Sequence, residues 1–388
     1  MNKIDELIIS TAKAEGLKDA QSIVIFDDPH ADLFRAALEA SARDRGCQIY
    51  IGSRTATQAR NSAKLADDFL MRSRVHIGGL DGSLRLDEFF LTVVNAGQNP
   101  NFAKKVLVLS HLPKSLGELE YLVSSLAPFG PNVTFVGGAN TKHMSRNQNV
   151  ILEQALGQCQ ATRGVGKYRC LVGKQEVMDQ IVSESTLIEV SSYAPTIQNS
   201  KYGKIAGIGG VFGGAKIDHG GEFLGEVASA DIYRIVSDYR RGFDDAPRIV
   251  DLGCGNGAVS RQLFAELEDA TIFATDISAD ACASAAITLA PEIKAGKVQV
   301  SWADAAQDIP SNWADFVLLN PPFHEGTRID ATMIKNLLVA AHRILCPGGD
   351  LYLVHNSHLR YRPEIEKSFD RVRELDRNSK FTVLQARK

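Results

Sequence analysis

From Arg248 onward, short apolar, β-rich runs alternate with stretches whose apolar residues recur every three or four positions. Arg248–Leu252, Thr271–Thr275, Val298–Trp302, Phe316–Leu319 and Leu351–Val354 read as strands. Val259–Leu267, Ala279–Leu289 and Ala331–Leu345 read as helices, the last stopped by Cys346-Pro347-Gly348-Gly349. Such alternation predicts a parallel sheet covered by helices on both faces. The end of the chain departs from it. Arg371–Leu375 and Phe381–Gln385, joined by the turn-prone Asp376-Arg377-Asn378-Ser379, predict an antiparallel hairpin closing a mainly parallel, seven-stranded sheet.

The N-terminal half repeats the theme with strands at Ser22–Phe26, Gln48–Ile51, Val75–Ile77 and Lys105–Leu109 and a helix over Asp32–Arg43. After its first strand stands Asp27-Asp28-Pro29-His30, with no glycine to let the backbone approach a ligand. We therefore expect an α/β protein of two tandem Rossmann-like domains, residues 1–185 and 186–388, of which the first is a degenerate copy. The connector is expected within Glu176–Ser200, and a length of 388 residues accommodates two cores.

Composition removes several classes of function. No apolar run is long enough to span a bilayer, and Met1-Asn2-Lys3-Ile4-Asp5-Glu6 is no signal peptide, so a cytoplasmic protein without a membrane partner is expected. The six cysteines (47, 159, 170, 254, 282, 346) form no Cys-x-x-Cys pair, which predicts neither a metal site nor a disulfide framework. The formal charge of −3 does not announce a nucleic-acid binder. Locally, however, Asn140–Lys174 holds six basic residues against one acid, and the last 38 residues nine against five. Each excess reads equally as solvated surface or as a phosphate-contacting face.

Two motifs carry chemistry. Asp251-Leu-Gly253-Cys254-Gly255-Asn256-Gly257 lies between a strand and a helix, where closely spaced glycines let the main chain touch a ligand. A dinucleotide loop spaces its glycines Gly-x-Gly-x-x-Gly. Here the last interval is shorter, and Asp251 would repel a phosphate; the cationic sulfonium and amino group of S-adenosylmethionine suit it better. Asp276, nineteen residues after Gly257 and followed by Ile277, ends the next strand, where a carboxylate can hold ribose hydroxyls. Asp304 ends the third strand and can accept from an adenine amino group. Upstream, the glycine-rich stretch Gly210–Gly220 reads as a loop or flap that could turn Phe212 and Asp218 toward the cofactor.

The second motif is Asn320-Pro321-Pro322-Phe323 at the end of the fourth strand. A conjugated amine is a poor nucleophile because its lone pair is delocalised. Accepting its two N–H groups on the Asn320 side-chain oxygen and the Pro321 carbonyl would orient it and favour the positive charge that develops. Pro322 stiffens the turn, and Phe323 could stack on a planar target. His324 reads equally as a backbone cap or a substrate contact. The pair of motifs predicts a methyltransferase acting on nitrogen, with the two loops side by side at one edge of one sheet.

In order, Phe212…Lys216-Ile-Asp218-x-Gly220, the glycine loop, Asp276 and Asn320-Pro-Pro-Phe-His324 resemble the small-domain class I methyltransferases. The chain is most similar to the bacterial ribosomal RNA guanine-N2 methyltransferases, the small-subunit methyltransferase C and large-subunit methyltransferase G family. Leu112-Pro113-Lys114-Ser115-Leu116, Gly137-Gly138-Ala139-Asn140 and Ile151–Leu156 resemble its degenerate N-terminal half. The tail Asn356-Ser-His358-Leu-Arg-Tyr361 with Asn378-Ser-Lys380-Phe381 leans to the large-subunit type. Phe212-Gly213-Gly214 and Glu325-Gly326-Thr327 depart from the pattern and leave the target nucleotide open.

The resemblance implies methyl transfer from S-adenosylmethionine to a guanosine N2 in ribosomal RNA or a ribosomal subunit, with an RNA-holding N-terminal domain, here expected in a monomer. The alternatives are adenine N6 or a glutamine amide of a translation factor as acceptor, or a non-catalytic RNA-binding relic.

Overall fold

The structure, a computed structural model, describes residues 1–42, 46–96, 105–175, 193–238, 246–321, 331–359 and 361–388. The chain divides into two compact units, Met1–Ala194 and Pro195–Lys388. The boundary expected at 185/186 lies outside the described residues, and the first unit carries on to Ala194.

In the first unit the strands are β1 (Ser22–Phe26), β2 (Gln48–Gly52), β3 (Val75–Ile77), β4 (Val106–His111), β5 (Val133–Asn140), β6 (Gln158–Ala161) and β7 (Tyr168–Lys174). They lie in the order β3-β2-β1-β4-β5-β7-β6, parallel except for β7, which runs against both its neighbours. All five residues of β1 are buried, as both faces of a helix-covered parallel sheet require.

The second unit begins with the two-stranded ribbon β8 (Thr196–Ser200) and β9 (Gly203–Gly207). Its main sheet comprises β10 (Arg248–Leu252), β11 (Thr271–Asp276), β12 (Val298–Trp302), β13 (Ala314–Leu319), β14 (Leu345–Asn356), β15 (Asp370–Arg377) and β16 (Phe381–Arg387). Their order, β12-β11-β10-β13-β14-β16-β15, is that of the first sheet strand for strand, with the same antiparallel pair at the end. The tandem α/β architecture is thus one topology used twice.

Alternation along the strands divides the second core in two. Val250, Leu252, Val317, Leu319, Leu351 and Leu353 face the helix Ala331–Ile344, whereas Ile249, Phe316, Leu318, Tyr352 and Val354 face helices His219–Asp238 and Ala258–Glu266. One reading needs correction. Cys346-Pro347-Gly348-Gly349 does not separate helix from strand: β14 already starts at Leu345, which pairs with Ala314, and the register then jumps to Phe316 with Asp350. The four residues form a bulge, with Gly348 at φ +81°, which any residue with a Cβ would resist.

Candidate methyl-transfer site

The direction of connection reverses between β10 and β13, and a crevice outside the carboxyl ends of such strands is the usual ligand site of an open α/β sheet. Parallel pairing matches Leu252 with Leu319, so the glycine loop after β10 and Asn320-Pro321 after β13 leave the sheet side by side. A cavity of about 640 Å³ opens there, within the range for small-molecule sites.

The glycine loop is pinned from behind. Gly253 and Cys254 donate their N–H groups to the Thr275 carbonyl at 2.8 and 3.0 Å. Gly255 N–H donates to Asp276 Oδ2 at 3.0 Å, and Ser278 N–H to Oδ1 at 2.8 Å. Gly253 and Gly255 have φ of +82° and +54°, and a Cβ on either would enter open space. At these two positions the loop therefore presents bare backbone to the cavity. Gly257 differs: a Cβ there would stand 3.0 Å from Leu289 Cδ1 and 3.1 Å from Ala285 Cα, so this glycine admits close helix packing.

Asn256 is a strut. Its two amide N–H groups donate to the carbonyls of Gly214 and Lys216, both at 2.8 Å, tying the glycine loop to the stretch upstream. That stretch is anchored by the ribbon. Ala206 N–H donates to Thr288 Oγ1 and Ile208 N–H to Ser284 Oγ, both at 3.0 Å, and Gly210 N–H donates to Asp280 Oδ2 at 2.8 Å. The ribbon and these hydroxyls escaped sequence reasoning; the signal was Asp280, Ser284 and Thr288, four residues apart along one face of an alanine-rich helix.

Asp251 is buried, and Ser260 Oγ donates to its Oδ2 at 2.6 Å. Burial pushes its pKa up to about 6, against the opposing hydrogen bond from Ser260. Burial likewise raises Asp276, against its backbone N–H bonds. The Cys254 thiol is driven well above its usual range by burial, which keeps it neutral. Ile277 and Phe212 are exposed apolar rim, and Asp304 lines the wall beyond Ala303.

Asp218 caps the helix His219–Asp238, its Oδ2 accepting from Gly220 and Gly221 N–H at 3.1 and 3.2 Å. Asn320 Nδ2 donates to the same oxygen at 3.3 Å. Asn320 Oδ1 is buried and has no hydrogen-bond partner. An orphaned acceptor of this kind is costly unless a ligand supplies the donor. The structure thus brings together Phe212, Asp218, Asp251, Gly253, Cys254, Gly255, Asn256, Asp276, Ile277, Asp304, Asn320 and Pro321 around one cavity. Pro322, Phe323 and His324 lie outside the described residues.

The donor set fits S-adenosylmethionine. Among the described lining residues, Asp218, Asp251, Asp276 and Asp304 face a single cation, Lys216, a balance suited to a cationic ligand without phosphates. The bare backbone at Gly253 and Gly255 leaves room for close approach.

Fold and site together define a class I methyltransferase of the small-domain type, and residues 203–385 match the family model described as methyltransferase small domain. Residues 85–177 match a second, the RLMG N-terminal domain. It is similar to the ribosomal RNA large subunit methyltransferase G of Shewanella amazonensis, 28% identical over 74% of this chain and 70% of that one. The protein of the same name from Streptomyces coelicolor is 28% identical over 88% of each chain. Among solved structures, the T. thermophilus 16S rRNA N2 G1207 methyltransferase (RsmC), in complex with AdoMet and guanosine, superposes with a TM-score of 0.66 at 18% identity, covering 100% of this chain and 92% of its own.

Proposed function

We propose that this protein transfers a methyl group from S-adenosylmethionine to the exocyclic N2 amine of a guanosine in ribosomal RNA, acting as a cytoplasmic monomer. The observation that carries the reading is the buried, unpartnered Asn320 Oδ1 beside the glycine loop, an acceptor waiting for an N–H donor. The relatives named as ribosomal RNA methyltransferases supply the substrate class. No described helix is long and apolar enough to cross a membrane.

When bound, the cofactor supplies an electrophilic methyl on a positively charged sulfur. Gly253 and Gly255 let the main chain close on it, Asp276 accepts from the ribose hydroxyls, Asp304 from the adenine amino group, and Asp251 offers negative charge to its cationic end. Phe212, Asp218, Cys254, Asn256 and Ile277 complete that pocket. Asn320 Oδ1 and the Pro321 carbonyl accept the two N–H groups of the guanine amine. Holding both hydrogens in place aims the nitrogen lone pair at the methyl and stabilises the charge that appears on nitrogen. The surplus proton then passes to water, so no strong general base is required. Pro322 and Phe323 complete the acceptor loop, Phe323 by stacking on the base.

The N-terminal unit holds RNA phosphates in this reading. Lys114, Lys142, Arg146, Arg163, Lys167 and Arg169 are all exposed, and Thr141 N–H donates to the Lys167 carbonyl, which joins the Lys142 turn to the tip of the β6–β7 hairpin. Lys174 stands apart, paired with Glu15 at 2.6 Å. In the first unit's counterpart of the cofactor loop, Asp28 Oδ1 and Oδ2 accept from Asp32 and Phe34 N–H at 3.1 and 2.8 Å, so a carboxylate takes the helix N-terminus where the second unit has the neutral Asn256, whose Oδ1 accepts from Ala258 N–H at 3.1 Å.

The test is methyl transfer to unmodified ribosomal RNA with labelled S-adenosylmethionine, followed by nucleoside analysis. N2-methylguanosine is expected. N6-methyladenosine, or label in protein, would overturn the guanine assignment.

A further inference from the structure

The cavity reaches past the cofactor half of the sheet. Asp276 and Asp304 stand at the ends of β11 and β12, on one side of the glycine loop, and Asn320 at the end of β13 on the other. Beyond Asn320 the next two strands contribute Asn356, the last residue of β14, and Phe381, the first of β16; these two are direct cross-strand partners, and both line the cavity. A base arriving at Asn320 has its way barred on the β11 and β12 side by the cofactor's own wall. Among the described residues, the approach that remains is over β14 and β16.

Phe381 is set there firmly. Its N–H and that of Lys380 donate to Asn378 Oδ1 at 2.8 and 2.9 Å, and Asn378 N–H returns a bond to the Phe381 carbonyl at 2.9 Å. One part of the ring packs against the core beneath helix His219–Asp238, and the side chain stays half-buried. Its position relative to Asn320 follows from Gly220. A Cβ on that glycine would stand 3.2 Å from Phe381 Cε1, 3.5 Å from Asn320 Oδ1 and 3.1 Å from Asp218 Oδ2. The aromatic edge and the unpartnered oxygen therefore both pack over residue 220, close to one another because that residue has no side chain to part them.

We propose that Phe381 is the platform on which the acceptor base lies while Asn320 holds its amine. The proposal rests on the functional reading above, in which the acceptor is a nucleobase. A base drawn out of its stack is stripped of its neighbours, and an aromatic face replaces them without regard to sequence. In-line transfer also needs the ring plane fixed, since tilting it turns the amine lone pair off the methyl. An aliphatic side chain at position 381 would preserve the packing beneath while removing the stacking face.

The test compares Phe381→Leu, Phe381→Met and Phe381→Tyr in the full chain, with ribosomal RNA and S-adenosylmethionine as substrates. Leu is expected to lower kcat/KM for RNA about 5- to 100-fold, the range of base–aromatic stacking, with the cofactor dissociation constant unchanged within about twofold. Tyr should stay within about threefold of wild type. Met, whose unbranched chain can reach further into the space of the ring, stands in should Leu lower the melting temperature. An aliphatic variant as active as wild type, a Tyr variant as poor as Leu, or a matching loss of cofactor affinity would overturn the platform. Wild-type protein that labels RNA beside an undiminished Leu variant sinks the platform alone; wild-type label in protein sinks the functional reading with it.

Discussion

Asp218 Oδ2 accepts the amide hydrogen of Asn320 at 3.3 Å and thereby decides which end of that amide meets the carboxylate. An ionised carboxylate can only accept. Nδ2 must point toward it, and Oδ1 is left turned away from it, buried and unpartnered. A carboxylate that caps a helix thus also orients the Asn320 amide.

Asp218→Ser should retain the helix cap but fall short of Asn320, and kcat is expected to drop on the order of 10- to 100-fold with the fold intact. Asp218→Asn, whose carbonyl oxygen can take the carboxylate's place, should stay within about threefold of wild type. Single-turnover methyl transfer with both variants checks this. Equal loss in the two would instead assign Asp218 a charge interaction with the cofactor.

Asn320→Ala removes the orphaned acceptor. Turnover should fall about 10²- to 10³-fold, as when one pre-organised hydrogen-bonding group is deleted from an active site, with the cofactor dissociation constant nearly unchanged by titration calorimetry. Parallel losses in both would refute the role given to Asn320.

Gly255 and Gly257 stand in one loop and should respond oppositely to the same substitution. Gly255→Ala places a methyl in open space, so the melting temperature should move by only a few degrees, the strain of φ +54° costing roughly 1–2 kcal/mol, whereas cofactor affinity should fall at least about tenfold. Gly257→Ala drives a methyl toward Leu289 and Ala285, and its main effect should be on stability, of about 1–3 kcal/mol on top of the backbone strain. Thermal melts with and without S-adenosylmethionine separate the two.

Asp251 ties affinity to pH. Its pKa of about 6 in the cofactor-free fold means that a cationic ligand finds the carboxyl protonated below that pH and must displace the proton. Affinity for S-adenosylmethionine should therefore be level above about pH 6.5 and weaken by up to about tenfold per unit below 6, with proton release visible as buffer-dependent calorimetric heat. The sign for stability is the reverse. Because the folded-state pKa is raised, the fold binds this proton more tightly than the unfolded chain and loses stability as pH rises from about 4 to 6. Asp251→Asn should accordingly melt higher than wild type at about pH 7.5 without cofactor, by less at about pH 4.5, while binding the cofactor worse.

The exposed cations of the first unit should show themselves in salt dependence. Lys142→Ala or Lys167→Ala, by deleting one phosphate interaction each, is expected to flatten the slope of log affinity against log salt by about 0.7–0.9 and to weaken RNA binding without changing cofactor affinity. An unchanged slope would place the RNA elsewhere.

Features that depend on neighbours in the chain were legible in the sequence. Strand–helix alternation is a matter of period; the glycine loop is a matter of φ angles that only glycine adopts readily; and the antiparallel ending followed from two short runs flanking a turn. The tandem α/β fold and the cofactor could be read for that reason. Features that depend on residues distant in sequence emerged only in three dimensions. The ribbon β8–β9 is held by Thr288 and Ser284 from far downstream, and the bulge at residues 346–349 exists because Leu345 finds Ala314. The polarity of Asn320 is set by a carboxylate 102 residues upstream, and Phe381 reaches the cavity only because β16 folds back beside β14. No local pattern encodes these pairings, since each becomes favourable only after the chain between the partners has been closed into a sheet.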